Sequence, residues 1–316
     1  MKVIALLPCL NEDASIAQTI SEIRRILPSM EVIVIDNGST DSTVEKAGKA
    51  GASVIHEPRR GKGFAIGAGF NVVPDEAVAA FMVDGDATYG LENLILAIEL
   101  VTQSGYDMVV GKRQTSSHDS AGKSYRRGHR FGNWILTQIY RRLFGIQLTD
   151  TLSGWRVMSI PFIKSFPGSA SAFEIEAELN VHAYNLSAAV TEVRTIYKER
   201  IEGSSSKLNT YKDGWLILKR NISLYKSERP SIAYKLLGLP WLISSVILFS
   251  FPIGDYLETG EVARFPSLIA AVGAFVISTN LWVTGMILER VRLNRVSQLK
   301  FRYSDFRKNL IFSQNK

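Results

Sequence analysis

The stretch FMVDGDATYG, residues 81–90, places two carboxylates, Asp84 and Asp86, one residue apart at the end of an apolar run. In an extended segment, residues i and i+2 point the same way. Gly85 between them carries no side chain to hold a ligand off the backbone. Two oxygen donors at that spacing suit a hard divalent cation, Mg2+ or Mn2+, that also takes diphosphate oxygens. Asp-x-Asp is a common pattern, and a helix-capping Asp86 beside a solvated Asp84 is the plainer alternative. The surroundings decide between them.

Those surroundings read as an α/β domain. KVIALLP, MEVIVID, ASVIHE and AVAAFMVD have the composition of buried strands. Between them, DASIAQTISEIRRIL, STDSTVEKAGKAG and GKGFAIGAGFNVV read as helices, the first with Ile16, Ile20, Ile23 and Leu27 on one stripe. A helix at 91–103 and a strand at 106–110 follow, then a turn and strand over 145–160, a helix over 173–185 and a strand over 190–197. Strands alternating with helices of this length predict a Rossmann-like, mostly parallel sheet with helices on both faces. Ligands in such sheets lie beyond the carboxyl ends of the strands.

Three further strand ends carry suitable residues. PCLNED follows the first strand, and DNGSTD follows the second. Asp36 there either bonds a nucleobase or ribose, or fixes the turn that Asn37 and Gly38 make. After the third strand, EPRRGKGFAIGAG opens a helix with Arg60 and Lys62 at its start, which favours an anion. Its glycines are a weak dinucleotide fingerprint, because they follow the third strand and lack a ribose-binding acid at the usual offset.

With 316 residues the chain can hold one large domain and an appendage, or two domains. Cys9 is its one cysteine, which excludes a disulfide framework and a cysteine metal site, and nothing around it supports a nucleophile. The four histidines, His56, His118, His129 and His182, have no metal spacing and read as structural or surface residues. The start, MKVIALLPCLNE, reads as a first strand and is too short for a signal peptide. A formal net charge of +7 points to nucleic acid, anionic lipid or an anionic substrate. A nucleic-acid groove would interleave bases with stacking aromatics. Here the bases gather beside a hydrophobic hairpin, so no nucleic-acid partner is expected.

That hairpin comprises residues 236–254 and 265–288, both without charge. Each is long enough to cross a hydrocarbon core of about 30 Å. Pro240 and Pro252 lie near the ends of the first span. The linking segment DYLETGEVAR is net acidic. Lys226, Arg229 and Lys235 precede the hairpin, and Arg290, Arg292, Arg295, Lys300 and Arg302 follow it. The positive-inside rule then predicts an integral membrane protein with the catalytic domain and both termini cytoplasmic. Residues 211–226, within a segment 207–230, mix aromatics with lysines as a helix on a membrane surface does. Residues 289–316 read as a basic cytosolic tail.

Taken together, PCLNE, DNGSTD, GKGFAIGAGF, DGDATY, DTLSGWRVM and FEIEAEL resemble the family 2 glycosyltransferases over about residues 1–225. Within that family the chain is similar to the polyprenyl-phosphate sugar transferases related to dolichyl-phosphate mannosyltransferase. The resemblance implies a GT-A fold, a nucleoside-diphosphate sugar donor and a divalent metal. It implies donor contacts from Pro8, Asn11, Glu12, Asp36 and Asp84, with Asp86 on the metal. Gly38 and Lys62 join the donor set from the strand-end reading above. The chain departs from the family where DGDATYG leaves the remaining metal ligand open, and in having two spans where relatives have none or four.

The resemblance also gives the basic stretch KRQTSSHDSAGKSYRRGHR a purpose, since in the look-alikes this region holds the lipid phosphate. Arg113, Arg126, Arg127 and Arg130 are its guanidinium groups, which bind phosphate bidentately. A solvated basic face is the alternative. Arg200, before SSSKL, either reaches a phosphate through a mobile loop or is plain surface. TDTLSGWR carries Asp150 and Arg156, expected at the catalytic centre. Family members that attack with a hydroxyl use an acid near here as base. A phosphate acceptor, with a second pKa near 6, is already a nucleophile, and Asp150 would orient Arg156 or the acceptor. In FEIEAE, only one of Glu174 and Glu176 is expected to face the site.

The expectation is an inverting, metal-dependent transfer of a sugar to a polyprenyl (undecaprenyl or dolichyl) phosphate. The alternatives are a hydroxyl acceptor on the same fold, or a membrane partner that only binds nucleotide sugar. The sugar, the donor base and the oligomeric state stay open, and a homo-oligomer is compatible.

Overall fold

The computed structural model describes residues 2–114, 148–167, 175–198 and 225–314. Two compact units divide the chain: Met1–Thr210 with Gln298–Lys316, and Tyr211–Ser297.

The first unit is built on a seven-stranded sheet. Its strands are β1 (Val3–Cys9), β2 (Glu31–Asp36), β3 (Ser53–His56), β4 (Ala79–Met82), β5 (Met108–Gln114), β6 (Arg156–Ser159) and β7 (Val190–Ile196), in the order β3-β2-β1-β4-β6-β5-β7. β1 lies parallel to both β2 and β4, with Cys9 beside Asp36 and Leu6 beside Met82. β6 is antiparallel to β4 and β5, and β7 is parallel to β5. The mostly parallel sheet expected from the sequence is present, with one reversed strand that brings the 148–156 segment beside β4.

The near-continuous apolar strands follow from burial on both faces. Alternate residues of β1 enter two cores. Ile4 and Leu6 pack with Ala65, Ile66 and Phe70 of helix α3 (Lys62–Val72). Val3, Ala5 and Leu7 pack with Ile16, Ile20 and Ile23 of α1 (Ile16–Ile26) and Leu94 of α4 (Leu94–Thr102). α2 (Thr43–Lys49) follows β2, and α5 (Ile160–Ser165) and α6 (Ile175–Leu186) follow β6. The chain winds from β1 outward to β3, then returns to β4 on the other side of β1. That reversal is the topological switch point where a crevice opens at the carboxyl ends. Pro8 and Cys9 end β1 there, and Asp84 and Asp86 follow β4.

The second unit contains the hairpin. α7 (Pro230–Thr259) runs through Pro240 and Pro252, and Gly260, at φ 75°, closes it in the left-handed region. α8 (Phe265–Gln314) continues without a break through the residues expected as a tail. Both helices are long and apolar enough to cross a membrane, and only 17% and 22% of their most apolar stretches are buried in the protein. Core helices of a soluble domain would be mostly covered, whereas Leu236, Val246, Leu257, Ile269 and Val272 are exposed. The pair is tied by Ser245 Oγ donating to Ala271 O (2.8 Å) and by Trp282 Nε1 donating to Lys235 O (3.3 Å). Close approach of small residues is the usual way apolar helices associate in lipid.

The far end of α8 belongs to the first unit. Leu299 is buried in the core that holds Phe162 and Leu179. Tyr303 Oη donates to Asp107 Oδ1 (2.7 Å) at the foot of β5.

Candidate active site

The loop after β1 and the loop after β2 hold each other. Asn11 N donates to Ser39 Oγ, Thr40 N donates to Asn11 Oδ1 and Glu12 N donates to Thr43 Oγ1. Asn11 takes a left-handed φ of 54° to make these bonds. Asn11 and Glu12, expected to touch the donor, thus also tie the two loops of the crevice wall together. Pro8 lies within β1, half-buried beside Ile35.

Asp36 makes the turn bonds that were one of its two expected roles. Its carboxylate is fully buried, accepts from the backbone N–H of Gly38 (3.3 Å) and Ser39 (3.0 Å), and lies 2.6 Å from His56 Nδ1. It fixes the turn, with Gly38 at φ 88°. The exposed member of that pair is His56, in keeping with its expectation as a structural or surface residue.

Asp84 and Asp86 do not sit in an extended segment. β4 ends at Met82, and residues 85–86 form a turn. Asp86 Oδ1 accepts from Thr88 N (3.2 Å) and Thr88 Oγ1 (2.6 Å), the local bonding that favours a turn over a strand. Gly85 faces the protein instead of a ligand. Its carbonyl accepts from Ser15 Oγ (2.9 Å), and a Cβ there would come 2.6 Å from Cys9 Sγ.

Asp84 meets the start of α3. Lys62 Nζ lies 2.5 Å from Asp84 Oδ1 and 2.6 Å from Glu176 Oε1, at the first turn of α6. Burial alone would lower Lys62, but Asp84 and Glu176 outweigh it and hold the ammonium well above its ordinary value. Burial raises Asp84 against the pull of Lys62, and the charges of Asp86 and Glu176 add to the rise. Lys62 overcomes the burial of Glu176 and keeps that carboxyl low. Glu176 thus faces the site, and Glu174 lies outside the described residues. Asp84 also packs on Gly154, where a Cβ would come 2.5 Å from Asp84 Oδ2. Gly154 N in turn donates to Tyr89 Oη (3.0 Å).

Asp150 does not reach Arg156. Its two oxygens take Arg113 Nε and Nη2, both at 2.7 Å, and Oδ2 also takes Arg113 N (3.1 Å). This is the bidentate fork that an arginine makes with a carboxylate. The Arg113 guanidinium lies 5.6 Å from the ring centre of Tyr197, whose edge meets Tyr89. Arg156, expected as catalytic, is instead a positioning residue. It is completely buried, and it donates from Nε to Ser153 O (3.0 Å), from Nη2 to Thr151 O (3.0 Å) and from Nη1 to Asn180 Oδ1 (2.7 Å). Burial pushes it down to about 10, which still leaves it charged at neutral pH. Its role is to hold the 151–154 turn that presents Gly154 to Asp84. Arg126, Arg127, Arg130 and Arg200 lie outside the described residues.

The crevice thus joins Lys62, Asp84, Asp86, Tyr89, Arg113, Asp150, Gly154 and Glu176. Sequence spacing had no means to find the Lys62–Glu176 contact, since 114 positions separate the two. Among the described residues, no three His, Cys, Asp or Glu side chains are grouped to hold a metal by themselves. The donor chemistry of Asp84 and Asp86 nonetheless fits a hard cation: two carboxylates close enough for the charge of one to act on the other.

An α/β sheet with carboxylates at its switch point has the arrangement of a ligand-binding crevice, and comparison places the chain more narrowly. The family "Glycosyl transferase family 2" matches residues 5–165. Glycosyltransferase AglJ of Haloferax volcanii is 32% identical over 303 residues, 93% of this chain and 97% of its own length. The chain belongs to glycosyl transferase family 2 and is a glycosyltransferase of that family. A dolichyl-phosphate hexose transferase of the same organism is 29% identical over 219 residues, covering 69% of this chain and 92% of that protein. Glucosyl-3-phosphoglycerate synthase of Mycobacterium tuberculosis, solved with Mn2+ and UDP-glucose, superposes with a TM-score of 0.55 at 21% identity. That superposition covers 71% of this chain and 78% of that one, and it shows the shared GT-A fold.

Proposed function

We propose that the protein transfers a sugar, with inversion, from a nucleoside-diphosphate sugar to a polyprenyl phosphate held at a membrane surface. The donor lies across the switch point, its nucleoside toward β2 and β3 and its diphosphate toward Asp84, Asp86 and Lys62. A divalent cation, Mg2+ or Mn2+, held by Asp84, Asp86 and diphosphate oxygens would neutralise the leaving group. Lys62 adds a mobile positive charge beside that diphosphate. Arg113, with Arg126, Arg127, Arg130 and Arg200, binds the acceptor phosphate, and the uncharged stretches of α7 and α8, residues 236–254 and 265–288, sit in the bilayer that supplies the lipid.

The acceptor oxygen attacks the anomeric carbon from the face opposite the diphosphate. The new carbon–oxygen bond forms as the bond to the diphosphate breaks. A phosphate monoester with a second pKa near 6 reaches neutral pH as an anion. It therefore needs no base to remove a proton in the attack.

The observation that carries this reading is the engagement of Asp150. A carboxylate with both oxygens on the Arg113 guanidinium serves as an orienting counter-ion, whereas a hydroxyl acceptor would need it as a base. The name of the dolichyl-phosphate hexose transferase relative supports the same acceptor class.

The test is detergent-purified full-length protein incubated with UDP-, GDP- and dTDP-sugars and undecaprenyl or dolichyl phosphate, read by mass spectrometry. The expected product is a polyprenyl-phosphate sugar. Asp84→Ala should lower its formation about 10³-fold, the scale of losing a principal charge-stabilising group. Asp150→Asn should keep most activity. Transfer to a hydroxyl acceptor alone, abolished by Asp150→Asn, would overturn the phosphate assignment.

A further inference from the structure

Lys62 stands where the cation of the proposed reaction would bind Asp84. We infer that Lys62 is an internal counter-ion that keeps divalent metal off Asp84 until a nucleoside diphosphate arrives, and that Glu176 receives the displaced ammonium. The inference rests on the metal reading given above and adds an order of binding to it: the cation enters with its nucleotide.

Lys62 bonds two carboxylates from different elements, Asp84 after β4 and Glu176 at the start of α6. It occupies the first position of α3, the positive end of the helix dipole. A cation there opposes the dipole, so the helix itself gives no reason for it. The position answers to the two carboxylates instead. The side chains are unequal in exposure: Lys62 33%, Asp84 28% and Glu176 11%. Asp84 opens toward the crevice, while Glu176 is the enclosed partner. A buried carboxylate stripped of its cation is strongly destabilising, so Lys62 keeps its bond to Glu176 when Asp84 is taken. An ammonium is a compact charge with three donors on a flexible four-carbon stem. It can leave Asp84, hold Glu176 and turn a remaining donor to a diphosphate oxygen without moving backbone.

Without nucleotide, a divalent cation must displace Lys62 and gains only protein carboxylates in return. With nucleotide, the diphosphate brings oxygens for the metal and an anion for the freed ammonium. Glu176 sets the balance. If its charge is removed, Lys62 has only Asp84 and holds it more firmly.

Mn2+ binding to the full-length protein, measured by calorimetry and by the electron-spin signal of free Mn2+, tests this with no nucleotide, with UDP and with GDP. Wild type should bind Mn2+ at least about tenfold more tightly with one of the nucleotides than without. Lys62→Gln should raise nucleotide-free affinity about tenfold and narrow that gap. Glu176→Gln should shift nucleotide-free affinity the opposite way, which keeps the test decisive where Lys62→Gln fails to fold. Equal nucleotide-free affinity in wild type and Lys62→Gln, or an unchanged or stronger one in Glu176→Gln, would overturn the counter-ion role while leaving the metal reading intact. No Mn2+ binding by wild type with either nucleotide would overturn the metal reading and this inference together.

Discussion

After β4, a lysine lies between two carboxylates; at the end of β5, an arginine lies flat on one. Lys62 shares its charge between Asp84 and Glu176, and a third of its side chain is exposed. Arg113 gives a two-pronged fork to Asp150, and only 18% of its side chain is exposed, against 8% for the aspartate. The first arrangement suits exchange, because an ammonium has no fixed geometry and has a second partner to fall back on. The second suits permanence, because two parallel bonds and a backbone N–H define one orientation. One crevice therefore carries a movable charge at its proposed donor end and a fixed charge at its proposed acceptor end.

The sharpest way to break this contrast is to remove each cation and offer a metal in return. Arg113→Ala leaves Asp150 buried without its partner and should cost about 3–5 kcal/mol of stability. Mn2+ should not restore it. Lys62→Gln should regain much of its lost thermal stability when Mn2+ is added, since the ion can take the place of the ammonium. Thermal unfolding of both variants with and without Mn2+ decides, and recovery of Arg113→Ala by the metal would end the distinction.

Acid sharpens the contrast further. Glu176 sits on α6, and so does His182, which burial pushes down to about 4 while Phe162 O and Ser165 Oγ hold its Nε2. The unfolded chain takes up that proton near pH 6.5, before the folded one does. Stability from neutral His182 is therefore full above pH 6.5 and is lost as pH falls toward 4, by about 3 kcal/mol in all. Melting temperatures of wild type should drop across that window. His182→Gln should flatten the curve there; an unchanged slope would remove His182 as the cause.

The smallest expected effect concerns the foot of β5, the strand that carries Arg113 near its far end. Asp107 there accepts from Tyr303 Oη, from Ala189 N (3.0 Å) and from Ser159 Oγ (3.2 Å). Tyr303→Phe removes one of three bonds and should cost about 1 kcal/mol. Transfer per folded molecule should stay unchanged. A fall in turnover without a fall in stability would show that the α8 contact reaches the fixed station.

Much of the scaffold was legible in the sequence. The apolar runs of β1, β2 and β4, the stripe Ile16, Ile20 and Ile23 and the charge-free spans each follow from local spacing and burial. The extent of the hairpin helices was less legible. Pro240 and Pro252 lie near the ends of the first span, yet α7 passes through both, and α8 runs on into the basic segment. Helix geometry sets no stop there, and no glycine or proline lies between Leu288 and Gln314 to impose one.

The carboxylates themselves were visible, but not their partners. Local chemistry put Asp36, Asp84 and Asp86 at strand ends and Asp150 in the turn-and-strand segment 145–160, because strands and turns are decided by neighbours a few residues away. Only the assembled sheet gave Asp36 to His56, Asp84 to Lys62 and Glu176, and Asp150 to Arg113 instead of Arg156. The reversed strand β6 carries Arg156 inward to Asn180 and brings Gly154 against Asp84. Short-range periodicity contains no such information. Charges separated by tens of residues meet only where the strand order places them, and at those distances a single ångström decides which cation a carboxylate holds.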